Sequence, residues 1–587
     1  MTFARICLLY SIVIFPAILF AQSPQGKFTV EDYERALWMT TRFYGAQRSG
    51  EGPNWLLMER DTVEYRTSFM DMDGSRDLAG GWFDCGDHVT FGQTYFFSAY
   101  LLAKAYDLFP LGFHDYYHGF DYRDYMSTGN WDRGGGAPDG IPDLLQELKY
   151  ATDWIIKATP DGSTFYYQKG EGAKDHKLWV TAGKMSKLSS DSGGAPRKIY
   201  KNPDDGVMAS LAAATLSVMS RIYRKYDEEY ADKCLEHAKY AYTYGKAHKE
   251  SGAGAGDGGF YGAPKSPLMA FIVGASEMYA STGEDGYKND AGSVQDKIEF
   301  HNWGFDYSNT HDLAPLAMAT AKVDEQKIDL LKSMFLDQYT NSLNNEGVCT
   351  KGNSSWGALR YPGNHAFLAA AWAQVKQDSS LNDFIFKQAD YIMGNNDAKQ
   401  SFIVGFCSGC SKQVRLPHHR NVYLRDDNPN DSAKASMTIP ARNEQFGYLV
   451  GGTWSSSSYK ESVTDYAMTE GGIDYNAGLV GTLGYIVSLL DPADTANMVG
   501  TRYPGISNRN RAGGKVTVIP TGTGWKLNAP AGLQIVNAAV FDRLGRMVYN
   551  GAASAALARR GLPCGILTLR ARCGNGNTET AQICNLR

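Results

Sequence analysis

Apolar residues recur at three- and four-residue spacing from about Lys27 to about residue 500, and Gly, Pro, Asn and Asp gather between these runs. This spacing predicts amphipathic or buried helices. The runs that fit it best are Thr94–Phe109, Val207–Tyr226, Leu268–Tyr279, Leu313–Val323, His365–Val375 and Gly478–Leu490. Few segments alternate as strands do, and an α/β fold would need regularly interleaved strands. The pattern therefore predicts an all-α toroid of helices over this part of the chain.

The pattern changes after about Pro504. Residues 505–514 form a polar stretch of Gly, Asn and Arg that is typical of a linker. Short alternating runs then predict strands at Lys515–Ile519, Gln534–Phe541, Arg546–Tyr549, Ile566–Arg572 and Thr580–Cys584, with a turn at Asp542–Gly545. Residues 515–587 are therefore expected to form a small β-rich domain.

The first residues predict the compartment. Arg5 precedes the apolar stretch Ile6–Phe20, and Ala21 supplies a small residue at the end of it, which is the layout of a cleavable signal peptide over residues 1–21. The stretch is short for a membrane span, so no span is expected after cleavage; an uncleaved anchor is the alternative. We expect a secreted or cell-surface protein. Outside the cytosol, the eight cysteines that follow Cys7 are permitted to form disulfides.

Composition adds two observations. The 587 residues carry a net charge of −5, with 43% hydrophobic and 21% charged residues, which is ordinary for a globular protein and gives no overall basic excess for nucleic acid. The 36 Tyr and 11 Trp fit either a sugar-binding cleft, in which rings stack on pyranose faces, or a large Tyr-rich core.

Charge is unevenly distributed along the chain. Residues 501–587 hold 12 basic against 2 acidic residues, a charge of +10, which leaves −15 for the preceding part. This asymmetry is typical of a separate module that meets an acidic surface or a handling machinery, and a solvated basic face is the alternative.

The most informative stretch is the Gly-rich turn of residues 80–92, which leads into the helix predicted from Thr94. Its two carboxylates, Asp84 and Asp87, are three residues apart and able to face one cavity. At a helix entrance, backbone N–H groups and the positive end of the helix favour an ionised carboxylate, so Asp87 is predicted to be a proton acceptor. The alternative is that Asp87 only caps the helix.

Glu470 lies in a second aromatic stretch, residues 459–478. Apolar surroundings raise the pKa of a carboxyl group, which would keep Glu470 protonated and able to donate to a leaving oxygen. A solvated loop glutamate is the alternative.

Both stretches resemble the signature segments of glycoside hydrolase family 9, the inverting cellulases with an (α/α)6 barrel. Other segments resemble this family in the same order along the chain. They are Tyr44 with Gln47–Gly50, Asp139–Glu147, Trp356–Tyr361 and Pro417–Arg420. The resemblance spans roughly residues 30–490 and implies a catalytic domain over residues 28–500.

The resemblance also implies roles for individual residues. Asp87 would be the general base, Asp84 would help to hold the attacking water, and Glu470 would be the general acid. The remaining catalytic candidates are His418 and Glu461, and the substrate-binding candidates are Arg420, Trp356, Arg360, Tyr475 and His88. A zinc site at His418 and His419 is the weaker alternative, because no third and fourth ligands are apparent at usable spacing.

The sequence departs from the family pattern at several positions. Glu461 stands where the family usually has Asp, Gly472 replaces Ser, Thr or Ala, and Cys407 replaces a usual Gly in a segment that is about three residues longer. Cys407 and Cys410 are either a local disulfide or free.

No cofactor is required by the implied chemistry. Family members often bind calcium through an Asp-Glu pair at the start of a helix, but Ser266–Pro267 precede the corresponding helix here. Calcium needs several oxygen ligands, so none is expected at this position, and a site elsewhere stays open.

The C-terminal module has no array of surface Trp, so it is not predicted to bind cellulose. Residues 540–546 and 562–566 resemble the C-terminal sorting domains of secreted bacterial proteins, which suggests docking to secretion or cell-surface machinery.

The sequence as a whole predicts a secreted endo-β-1,4-glucanase whose partner is cellulose or another β-1,4-glucan. The alternatives are a glycosidase of the same fold that is exo-acting or acts on xyloglucan or mixed-linkage glucan, and a carbohydrate-binding protein without catalysis.

Overall fold

The computed structural model describes residues 26–50, 76–115, 140–252, 260–262, 266–420 and 446–493, and the backbone of the strands between residues 517 and 585. The helices, in chain order, are α1 (Val30–Ala46), α2 (Gly92–Leu108), α3 (Asp143–Ala158), α4 (Gly172–Asp175), α5 (Ala182–Ser186), α6 (Gly206–Ile222), α7 (Glu228–Ala247), α8 (Pro267–Thr282), α9 (Asp285–Gly292), α10 (Leu313–Thr320), α11 (Lys327–Leu331), α12 (Asp337–Thr340), α13 (Arg360–Lys376), α14 (Asn382–Met393), α15 (Tyr466–Thr469) and α16 (Ile473–Leu490). A π-helical turn, Lys332–Leu336, joins α11 to α12. All six predicted helices are confirmed, with shifted ends.

The core is built from helices that are apolar on every side. Helices α2, α6, α13 and α16 are buried over almost their whole length, which is the expected place for a helix without a polar face. Helix α6 packs against α7 and α8, and α16 packs against α1, α2 and α13.

Helix α16 is also the one helix of the described residues that is long and apolar enough to cross a membrane. Because 83% of its apolar window is buried inside the protein, it is packed as a core helix.

Two helices begin five residues earlier than their apolar spacing predicts. Helix α13 begins at Arg360 and α16 at Ile473, so that their polar first turns contain Arg360, Asp474 and Tyr475. These residues are buried despite being polar, and they pair with one another. Apolar periodicity missed these turns because their side chains serve a site and not the apolar core.

The described strands are all antiparallel. The short pair β1 (Tyr166–Lys169) and β2 (Ile199–Lys201) lies within the helical part. After it come β3 (Thr517–Thr521), β4 (Gly524–Asn528), β5 (Ile535–Phe541), β6 (Met547–Gly551), β7 (Leu557–Ala558), β8 (Gly565–Cys573) and β9 (Thr578–Asn585). They form one sheet of order β3-β4-β7 and another of order β6-β5-β8-β9.

The five strands predicted near the C-terminus are therefore present, and β4 and β7 were missed. In the larger sheet, Leu569 is paired with Val540 on one side and with Ala581 on the other, so the apolar positions of neighbouring strands are in register. The linker predicted at residues 505–514 and the signal peptide at residues 1–21 lie outside the described residues.

Candidate active site

The polar ends of several helices and loops enclose a cavity of about 700 Å³. It is lined by Asp84, Cys85, Gly86, Asp87, Phe91, His176, Phe260, Tyr261, Trp303, Asp306, Tyr307, Ser308, Asn353, Trp356, Arg360, Tyr361, His418, Arg420, Tyr466, Glu470 and Tyr475. Eight of the ten residues predicted for the site are in this set, and Glu461 and His88 are not. The cavity therefore gathers residues that are up to 391 positions apart in the sequence (Asp84 to Tyr475).

Gly86 joins the two halves of the site. Its N–H donates a 3.1 Å hydrogen bond to Glu470 Oε1, and its carbonyl accepts one of 3.2 Å from the amide of Arg420. A Cβ at this position would lie 2.6 Å from the carbonyl oxygen of His418 and 3.0 Å from Glu470 Oε1. Only glycine allows the acidic turn, residues 80–92, to approach both the His418 backbone and the Glu470 side chain this closely.

Asp84 is buried and surrounded by donors. Thr94 Oγ1 donates to its Oδ1 and the Tyr261 hydroxyl donates to its Oδ2. Burial, together with the charges of Asp87 and Asp474, raises the pKa of Asp84 to about 8, while the hydrogen bonds from Thr94 and Tyr261 oppose this rise.

Asp87 lies beside Asp84 in the cavity wall. Its Oδ1 accepts a 3.2 Å hydrogen bond from the Cys85 amide, and its Oδ2 lies 3.7 Å from His176 Nε2. Burial raises the pKa of Asp87, while the charges of His176 and Arg420 oppose the rise. The positive charges of His176 and Arg420 favour the ionised form of Asp87, and this electrostatic support makes Asp87 the candidate proton acceptor of the two aspartates.

Of the two predicted reasons for an ionised Asp87, the backbone N–H is confirmed, since the Cys85 amide donates to it, and the helix end is wrong. Helix α2 begins at Gly92 with Phe91 as its N-cap, and no side chain caps it, so Asp87 is neither the cap nor within the first turn of the helix. The effect of a helix end falls off within one turn. The electrostatics of Asp87 are instead determined by burial and by neighbouring charged side chains.

Glu470 follows the short helix α15. Burial raises the pKa of Glu470 to about 8, the charge of Asp87 adds to the rise, and the Gly86 N–H opposes it. The direction is the predicted one. The prediction attributed it to apolar surroundings alone, whereas the neighbouring carboxylate also contributes.

A buried ionic cluster lies behind Asp87. Asp175, which is fully buried, accepts hydrogen bonds from Arg420 and from Arg197, the latter at 2.8 Å. These two guanidinium groups lower the pKa of Asp175 despite its burial. Arg420 is thereby held in the cavity wall.

His88 lies behind that wall and not in it. Its ring is fully buried, its Nε2 lies 3.0 Å from the carbonyl oxygen of Val180, and its amide donates to Asp175 Oδ1 at 3.3 Å. Burial lowers its pKa to about 3. A ring in this position does not reach a ligand in the cavity, so the predicted substrate contact of His88 is not found.

His418 lies in the cavity with a defined tautomer. Its Nδ1 is 2.6 Å from the carbonyl oxygen of Val463, which only accepts, so Nδ1 carries the proton. The ring packs edge-on against Trp179 at 4.8 Å. His419 instead points into the core, where its Nε2 lies 3.0 Å from Gln47 Oε1.

Glu461 supports the His418 segment from outside the cavity. Its Oε1 accepts hydrogen bonds from the amides of Arg415 and Leu416, the latter at 2.7 Å. The carboxylate therefore fixes the backbone that leads to His418. The longer segment around it is closed by a disulfide between Cys407 and Cys410, so the first of the two predicted alternatives is correct.

The cavity is also lined by Arg360, Tyr475 and Trp356. Arg360 donates to Asp474 Oδ2 at 2.7 Å and to the Tyr475 hydroxyl at 2.8 Å, and all three of these residues are buried. Trp356 is 44% exposed and its ring lies 4.9 Å from that of Tyr466. The exposed ring provides the kind of apolar face on which a sugar stacks.

Several lining residues were missed by the sequence interpretation. Tyr261 and Phe260 lie in a short aromatic run after two glycines, and His176 packs its ring on Phe260 at 4.6 Å. Trp303 is 42% exposed at the cavity. The acidic turn was identified by glycines next to aromatic residues. The same signal is present at Phe260 and Tyr261.

Two groups of the described side chains have the composition of a metal site: Glu34, His114 and Asp491, and Asp87, Asp175 and His176. In the second group, both oxygens of Asp175 are already bonded to arginines, and these positive charges disfavour a cation. Neither group contains the His418–His419 pair.

Comparison with known proteins gives consistent matches. Residues 33–483 match the family described as Glycosyl hydrolase family 9. Endoglucanase A of Fibrobacter succinogenes is 36% identical over 445 residues, which cover 73% of this chain and 94% of that protein.

The chain is also similar to solved structures of a cellulase and an endoglucanase. The cellulase Cel9M of C. cellulolyticum, also solved in complex with cellobiose, is 28% identical with a TM-score of 0.62, covering 78% of this chain and 98% of its own. The endoglucanase of the termite Nasutitermes takasagoensis is 26% identical with a TM-score of 0.64, covering 78% and 99%. These matches confirm the predicted (α/α)6 barrel of the helical part.

Proposed function

The chain belongs to glycosyl hydrolase family 9 and is a glycoside hydrolase of the cellulase type, and we propose that it cleaves internal β-1,4-glucosidic bonds with inversion of the anomeric carbon. One observation carries this proposal: Asp84, Asp87 and Glu470 line one cavity, and Gly86 holds the acidic turn directly against Glu470.

The proposed reaction uses the different surroundings of these carboxyl groups. Asp87, whose ionised form is favoured by the charges of His176 and Arg420, takes a proton from the attacking water, and Asp84 helps to hold that water. Glu470, whose pKa is about 8, stays protonated at neutral pH and donates to the leaving oxygen. A water between the base and the sugar requires the two carboxyl groups to be about 6.5–9.5 Å apart, which is the inverting arrangement.

Substrate binding is proposed for the walls on either side of these carboxyl groups. Arg420 and His418 would hydrogen-bond sugar hydroxyls near the cleavage point, since both are fixed in the cavity by buried partners. Trp356, Arg360 and Tyr475 would line neighbouring subsites, with the exposed indole of Trp356 stacking on a sugar face. Cellulose or a related β-1,4-glucan is the proposed ligand, and no cofactor is assigned to the reaction.

The role of Glu470 is tested by Glu470→Gln, which keeps the shape of the side chain and removes its acid proton. Hydrolysis of unactivated glucan is expected to fall by roughly 10²–10⁴-fold. Aryl cellobiosides with good leaving groups should keep much more activity, since they need no protonation. Equal losses on both substrates would contradict the assignment, and Glu228→Gln, at an exposed glutamate of helix α7, is the matched control.

For the regions outside the barrel, we propose secretion by way of the signal peptide and docking of the basic C-terminal module to secretion or cell-surface machinery. The charge of +10 in residues 501–587 supports a separate role for the module. Deleting residues 505–587 should change export or surface retention and leave the hydrolytic rate of the purified enzyme nearly unchanged. Unchanged localisation would contradict the docking role.

A further inference from the structure

Cys85 follows Asp84 directly and precedes Asp87 by two positions, and it lines the cavity. Its thiol Sγ lies 3.3 Å from Asp84 Oδ2, within the distance at which a thiol donates a hydrogen bond, and 3.8 Å from the Tyr261 hydroxyl. Of the cysteines that the structure describes, Cys85, Cys234 and Cys349 are free, and of these three Cys85 alone lines the cavity.

The thiol is a neutral donor in these surroundings. Burial raises the pKa of Cys85 well above its usual value, and the charges of Asp84, Glu470 and Asp87 raise it further. The sulfur therefore keeps its proton and can share it with a carboxylate.

The glycine at position 472 leaves space for this sulfur. Gly472 lies directly before α16, and a Cβ added there would be 2.9 Å from Cys85 Sγ, closer than such atoms pack. Gly472 is also where the sequence departs from the small side chain that is usual in the family. A side chain at position 472 would therefore occupy the space of the Cys85 thiol, and glycine leaves that space to the sulfur.

We propose that Cys85 is a positioning residue: its thiol is the third donor to Asp84, after Thr94 and Tyr261, and fixes the plane of the Asp84 carboxyl group for the attacking water. This inference rests on the proposed function, because it concerns the same carboxyl pair. Cys85 takes no part in the proposed chemistry itself and contributes by orienting Asp84, which does.

The test compares Cys85→Ala and Cys85→Ser in the full-length enzyme with soluble cello-oligosaccharides. Cys85→Ala should lower kcat about tenfold, as loss of one hydrogen bond does, with KM changed by less than twofold. Cys85→Ser keeps an O–H donor and should retain at least half of the activity. A packing role alone would make the two variants equal, since both lose the volume of sulfur, and that result would overturn the inference.

Coupling to Asp84 gives a second readout. In an Asp84→Asn background, Cys85→Ala should cause no further loss of kcat, because the carboxyl group that the thiol orients has already been replaced. Cys234→Ala, which removes a buried free thiol far from the cavity, is the control for stability effects and should leave kcat unchanged. An undiminished tenfold loss in the Asp84→Asn background would contradict the inference.

Failure of this inference can be distinguished from failure of the proposed function. If Cys85→Ala is fully active while Glu470→Gln and Asp87→Asn are inactive, the inference is wrong and the proposed function stands. If Asp84→Asn and Asp87→Asn keep full activity, the proposed function itself is wrong.

Discussion

Two clusters of buried carboxyl groups lie next to each other, one lining the cavity and one behind it, and they differ in the charge of their partners. In the arginine cluster, Asp175 is bonded to Arg197 and Arg420, and its pKa is lowered. In the carboxylate cluster, Asp84, Asp87 and Glu470 lie close to one another, and their pKa values are raised. Burial acts in the same direction on both.

The difference shows how one fold keeps a fixed charge next to titratable ones. The two guanidinium groups lower the pKa of Asp175 by more than its burial raises it. This carboxylate therefore stays ionised and has a structural role. The three carboxyl groups of the carboxylate cluster have no such pair of guanidinium partners, although His176 and Arg420 act on Asp87, and their pKa values are therefore raised. The predictions below separate the two clusters by activity, stability and pH.

The largest expected effect is on activity. Asp87→Asn removes the proposed base and is expected to lower kcat by roughly 10²–10⁴-fold. Its free energy of unfolding should be unchanged or slightly higher, because the variant removes a buried charge that burial already disfavours. Reducing ends released from carboxymethyl cellulose and urea unfolding measure the two quantities, and a strong loss of stability would place Asp87 in the structural cluster instead.

The next effect is on stability. Asp175→Asn leaves Arg197 and Arg420 buried without their counter-charge, which is expected to lower the free energy of unfolding by about 3–5 kcal/mol. The control is Asp153→Asn, which breaks the exposed 3.0 Å pair with Lys149 and should lower it by less than about 1 kcal/mol. Similar losses in both variants, measured by urea unfolding, would contradict a structural role for the arginine cluster.

The smallest effect is on the pH dependence of stability. Because the folded-state pKa values of Asp84 and Glu470 are raised to about 8, the folded protein binds more protons than the unfolded chain between about pH 4 and pH 8. These groups therefore contribute stability that is fully present below about pH 4 and is lost as the pH rises towards 8. The free energy of unfolding of Glu470→Gln should decrease less between pH 5 and pH 8 than that of the wild-type protein, and identical decreases would contradict the raised pKa.

The sequence predicted the helices and the principal carboxyl groups, but the neighbours of those groups depend on the fold. Asp84, Asp87 and Glu470 were candidates in two short aromatic, glycine-rich stretches, and the ordered resemblance to the family gave them their roles. The contact between Gly86 and Glu470 joins positions 384 apart and has no local signal. Asp175, which holds Arg420, lies in a short helix with no pattern of its own.

Two expectations fail in the turn of residues 80–92. His88 was a substrate-binding candidate, but its ring is fully buried and does not line the cavity. Asp87 was expected to be ionised partly by the end of α2, which begins only at Gly92. Both outcomes depend on the path of the chain through a glycine-rich turn, which the order of the residues does not determine.

The central claim is that water attacks the anomeric carbon under the control of Asp87 while Glu470 protonates the leaving oxygen. Proton NMR of cello-oligosaccharide digestion tests it most directly, since the signals of the two anomers are separate before mutarotation mixes them. Inversion predicts that the new reducing ends appear first as the α-anomer. Initial formation of the β-anomer would contradict the mechanism.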